Sequence, residues 1–93
     1  ISKTFLIIEF GTKKADLIQL QENILRIVDI LGIKIKRTSA PRSVSSPYGT
    51  SREAAFFKYE WRLEPSSRVD ESVLTSLRKR LSELEIYDVH MED

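Results

Sequence analysis

Hydrophobic and polar positions repeat with two distinct periods along this chain, and each change of period marks a new element. Thr4 to Phe10 (TFLIIEF) is an apolar, β-branched and aromatic run closed by Gly11, which predicts a buried strand. Apolar residues then recur at Leu17, Leu20, Ile24, Ile27 and Leu31, the three-and-four spacing of one helix face. Ile18, Leu25, Val28 and Ile30 widen the stripe, and Gly32 follows as a C-terminal cap. Ile33 to Thr38 (IKIKRT) changes to period two, the pattern of a strand with one wet face. EAAFFKYEWRLE repeats that period: Ala55, Phe57, Tyr59, Trp61 and Leu63 share one face, and Phe56, Lys58, Glu60 and Arg62 the other. Pro65 ends this strand. Ser67 and Asp70 read as a capping box for a second helix with apolar positions at Val73, Leu74, Leu77, Leu81 and Leu84. Ile86 to Met91 alternates as a last strand.

The order β-α-β-β-α-β predicts an α+β fold over residues 1–93. It corresponds to a ferredoxin-like sandwich with a four-stranded antiparallel sheet and two helices on one face. Thr38 to Arg52, rich in Ser and punctuated by Pro41, Pro47 and Gly49, reads as a long mobile loop between the second and third strands.

Composition adds bounds. At 93 residues, 41% hydrophobic and 31% charged, the chain suits one small globular domain. Its apolar runs are far shorter than a membrane span. Cysteine is absent, which removes thiolate chemistry and fits a cytoplasmic location, either free or as the cytosolic part of a membrane protein. A start at Ile1 suggests a piece of a longer parent protein. Net charge is +1, but Lys34, Lys36, Arg37, Arg42 and Arg52 fall in a stretch without acids, so all 14 acidic residues lie elsewhere. That stretch predicts a cationic patch on a mildly acidic body, able to steer an anionic partner.

Chemistry-bearing patterns are sparse. His90 is the only histidine, and neither a G-x-S-x-G elbow nor a Gly-rich phosphate loop occurs. The expectation is a non-catalytic domain without cofactor or metal. Asp88, His90 and Glu92 alternate along one strand face and would point the same way, yet at a frayed acidic end they read as surface charge. With Leu6, Ile8 and Phe10 facing the helices, Phe5 and Ile7 face away. Phe56 joins them on the third strand beside Lys58, with Lys34 and Lys36 at the rim. An apolar centre with a charged rim predicts an interaction face, most simply a homodimer contact.

The pattern KTFLIIEF, then a helix closed by LGIKIKRTSAPRS, resembles the ACT domain of prephenate dehydratases, where a similar Ser-Arg-Pro turn follows the second strand. Lys14-Ala15-Asp16-Leu17 stands in place of that family's Gly-Ala-Leu turn. RLSELEIYDV (Arg80 to Val89) is similar to the ending of the cytosolic C-terminal domain of MgtC-type membrane proteins. Both likenesses imply an ACT-like regulatory domain that couples a small ligand, ion or partner to its parent. The stretch Arg52 to Tyr59 also resembles the third-strand signature of RNA-recognition motifs at its first, fourth, fifth and eighth positions, which implies single-stranded RNA on the open sheet face as the alternative.

Overall fold

The computed structural model describes residues 4–44, 56–84 and 86–93. Its elements are β1 (Phe5–Lys13), α1 (Leu17–Ile30, entered through a short 3-10 turn), β2 (Ile35–Thr38), β3 (Arg42–Ser43), β4 (Phe56–Pro65), α2 (Glu71–Leu81) and β5 (Ile86–Glu92). The sheet is antiparallel, ordered β2-β4-β1-β5, with β3 also paired to β4. Among the described residues this is an α+β fold of two helices and five strands, broadly consistent with the ferredoxin-like plan.

The fifth strand corrects the expected four. β2 and β3 lie along the same edge of β4 and are separated by Ser39, Ala40 and Pro41. Two side-chain bonds replace the ladder there. Trp61 Nε1–H donates to the Ser39 carbonyl (2.6 Å), and the Ser39 hydroxyl donates to the Arg62 carbonyl (3.1 Å). Pro41 has no N–H to offer a ladder. The expected loop is therefore part of the sheet as far as Val44, whose N–H donates to the Lys58 carbonyl (2.8 Å). Residues 45–55, with Arg52 and most of that loop, lie outside the described residues.

Three other boundaries move. β1 runs past Gly11 to Lys13, because Gly11, Thr12 and Lys13 pair with Lys58, Phe57 and Phe56. α2 starts at Glu71 with Asp70 as its N-cap, so Ser67 is not the cap. β5 stays paired with β1 through Glu92, opposite Phe5, and the expected fraying is absent there.

Alternation assigns the faces as predicted. Leu6, Ile8 and Phe10 of β1 sit opposite Leu63, Trp61 and Tyr59 of β4, and Ile8 opposite Val89 of β5. These side chains form one core with Ile24 and Val28 of α1 and Leu74, Leu77 and Leu81 of α2. Phe10 stacks on Tyr59 (5.6 Å between centroids) and meets Trp61 edge-on (6.4 Å). α1 ends as a Schellman motif. Gly32 (φ +80°) donates to the Asp29 carbonyl (2.9 Å) and Ile33 to that of Val28 (3.1 Å). Ile18 and Ile30, which widened the apolar stripe in the sequence, face solvent.

Candidate functional site: the open face of the sheet

The face turned away from the helices carries the odd positions of β1, the even positions of β4 and, from Asp88 onward, the even positions of β5. Around Ile7 the row reads Arg62, Ile7, His90, since Ile7 is opposite both. Ile7 is only 1% exposed although no helix covers it. Its cover is ionic. The Arg62 guanidinium reaches across β1 to Glu92 on β5 (3.6 Å), and Glu92 in turn meets His90 Nε2 (3.3 Å). The same guanidinium lies 5.7 Å from the centroid of the Phe5 ring, within cation–π range. Long charged side chains shield apolar surface in this way while their heads stay wet.

The network continues to both edges. Arg62 Nε also bonds Glu60 (3.2 Å), which accepts from Arg42 on β3 (3.3 Å). Arg37 on β2 lies 3.8 Å from Glu64. On the other side, His90 Nδ1 lies 2.5 Å from Asp88 Oδ2. Burial alone would lower the affinity of the imidazole for its proton. Hydrogen bonds to Glu92 and Asp88, together with their charges, outweigh it and raise the pKa of His90 above its ordinary value. Exposed pairs of this kind contribute little singly. Their joint effect is to cover Ile7 and order the surface.

The next row is acidic. Glu60, Glu9 and Asp88 stand directly opposite one another across β4, β1 and β5. Arginines neutralise Glu60, and His90 lies against Asp88. Among the described residues, no cation or hydrogen-bond donor meets the half-buried Glu9 carboxylate. The β1–β5 register also slips at this point: Glu9 faces Asp88 while Phe10 faces Ile86.

The residues singled out in the sequence do not form one site. Phe5 and Arg37 meet, with Arg62, in a groove of about 320 Å³ that Thr38, Ser39 and Glu64 complete. Arg42 belongs to the Glu60 pair instead. Phe56 is exposed but pairs with Lys13 at one end of β4, whereas the Lys34 carbonyl bonds Ser66 beyond the other end. Some 30 Å separates strand ends of that length, at roughly 3.3 Å per residue. Lys36 is exposed where the β2 register slips, and Lys58 sits opposite Gly11. The expected apolar centre is thus replaced by a charged lattice, with Ile7 beneath it. Glu9, Glu60 and Arg62 were missed as a group because their roles depend on cross-strand register. A second cavity, of about 400 Å³, lies at the β1–α1 corner and is lined by Thr12, Asp16, Gln19, Asn23, Phe56 and Leu84 among others.

No family model matches the chain, and no curated protein is significantly similar to it. No helix among the described residues is long and apolar enough to cross a membrane.

Proposed function

We propose that this chain is a non-catalytic regulatory or interaction domain of ACT-like type. On this reading it couples a small ligand, ion or partner to a larger cytoplasmic protein and acts as a homodimer. The ferredoxin-like plan supports it once β2 and β3 are counted as one interrupted edge strand. The observation that carries it is the charge lattice on the open face. Glu60, Glu64, Asp88 and Glu92 already engage Arg42, Arg37, His90 and Arg62, which leaves those cations less available to a phosphate backbone, and the Phe5 ring already has a guanidinium at 5.7 Å. The sole imidazole lies between two carboxylates and not against a hydroxyl nucleophile, which supports a binding role over a catalytic one.

One observation favours the RNA alternative: the groove of Phe5, Arg37 and Arg62 combines an aromatic ring with two guanidinium groups. Two measurements decide. Sedimentation equilibrium is expected to show a dimer, and a strict monomer at high concentration removes the dimer. Titration with short single-stranded RNA at low and moderate salt is expected to show no binding. Saturable binding that weakens steeply with salt would replace the regulatory reading with the RNA one.

A further inference from the structure

We propose that Glu9, Asp88 and His90 form a binding site for a divalent transition metal ion of the zinc class. The inference names an ion for the coupling role proposed above. It rests on that reading for its purpose, though not for its geometry.

One ligand atom from each of the three residues lies within 4.8 Å of the other two. Zinc bonds of about 2.0–2.2 Å to nitrogen and oxygen require donors roughly 3.3–3.5 Å apart. The 2.5 Å between His90 Nδ1 and Asp88 Oδ2 must therefore open as the ion enters, a change that side-chain torsions make without moving the strands. The residues come from two hydrogen-bonded strands, so the backbone beneath them is rigid. Asp88 and His90 share a face by the two-residue repeat, and the regular β1–β5 register places the Glu9 carboxylate directly across from Asp88, on the last pair before the slip at Phe10.

Two features separate this cluster from ordinary surface acid. First, Glu9 stands between Glu60 and Asp88, and like charges directly opposite on neighbouring strands destabilise a sheet. Arginines neutralise Glu60, but no donor or cation among the described residues reaches Glu9, so a bound cation would relieve the remaining repulsion. Second, the two ring nitrogens of His90 face different partners. Nε2 lies toward Glu92 (3.3 Å) and Nδ1 toward Asp88 (2.5 Å). With Nε2–H donating to Glu92, a metal would take the place of the proton that Nδ1 shares with Asp88, bonding both atoms. A carboxylate that holds the second nitrogen of a metal-bound histidine is the usual way its tautomer and ring orientation are fixed. Glu92 is in turn held by Arg62 (3.6 Å), so that guanidinium faces the orienting carboxylate. One imidazole with two carboxylates suits zinc, cobalt or nickel better than calcium or magnesium, which prefer all-oxygen shells. Asp88 and His90 are partly open to solvent, which leaves positions for water or for a donor from a partner.

The test is calorimetric titration of the chain with ZnCl₂ near neutral pH, alongside NMR of the single histidine. Wild type is expected to bind saturably at one site and to shift the His90 ring signals. Glu9→Gln and His90→Ala are each expected to weaken binding roughly tenfold or more, while the remote control Asp29→Asn binds as wild type. Circular dichroism verifies that each variant is folded. Absence of saturable binding in wild type overturns the site, as does unchanged affinity in a folded Glu9→Gln or His90→Ala protein. Sedimentation of the same samples in EDTA keeps the two readings apart: a dimer that fails to bind Zn²⁺ removes the metal site alone.

Discussion

Gly32 and His90 show how single residues set local energetics here. Gly32 adopts φ +80°, and a methyl group added to it would meet nothing within 4 Å. The cost of Gly32→Ala is therefore conformational and not steric. It is expected at about 1 kcal/mol, read as a lower urea midpoint with an unchanged slope; a variant as stable as wild type would mean that the Schellman turn relaxes. His90 makes stability pH-dependent. Its pKa is raised in the folded state, so its contribution is complete below the unfolded value of about 6.5 and is lost as pH rises through the folded one. In EDTA, wild type is thus expected to lose more stability than His90→Gln between pH of about 5.5 and 8.5. Equal losses would show that Asp88 and Glu92 do not favour the protonated ring.

At the scale of elements, Arg62 connects strands that are not neighbours. Its reach over β1 covers Ile7 and brings β4 to β5 through Glu92. Arg62→Ala is expected to cost about 1 kcal/mol, chiefly by uncovering Ile7, because exposed ion pairs contribute little themselves. Arg62→Met, which keeps most of the covering stem, is expected to recover much of that loss. If both variants fall equally, the charge and not the cover matters. This organisation was only half legible in the sequence. The two-residue repeat placed Trp61 and Leu63 inward and Arg62 outward, because a half-buried strand writes its faces locally. The pairing of Glu9 with Asp88 was not legible, since it depends on the order of strands and on their register. The break at Ser39 depends on a contact with Trp61, 22 residues away, and no local pattern records it.

For the molecule as a whole, the described sheet is already bonded on both sides of residues 45–55. Val44 is already bonded to Lys58, and Phe56 is already paired with Lys13. Replacing 45–55 by a turn of about four residues with Asn-Gly at its centre is expected to leave the circular dichroism spectrum unchanged. The urea midpoint should also hold, since closure entropy changes by only about 0.6 kcal/mol per doubling of length. An unfolded product would show that the segment supplies core contacts. The seam between core and edge has a use of its own. Trp61 is the only tryptophan in the chain, 1% exposed, with its ring against Phe10 and its indole N–H on the Ser39 carbonyl at the strand break. Any event that peels the β2–β3 edge away would wet that indole before the far side of the core is disturbed. The protein therefore carries a built-in fluorophore at that seam, and a red shift in its emission would signal edge opening or capture by a partner without any attached label.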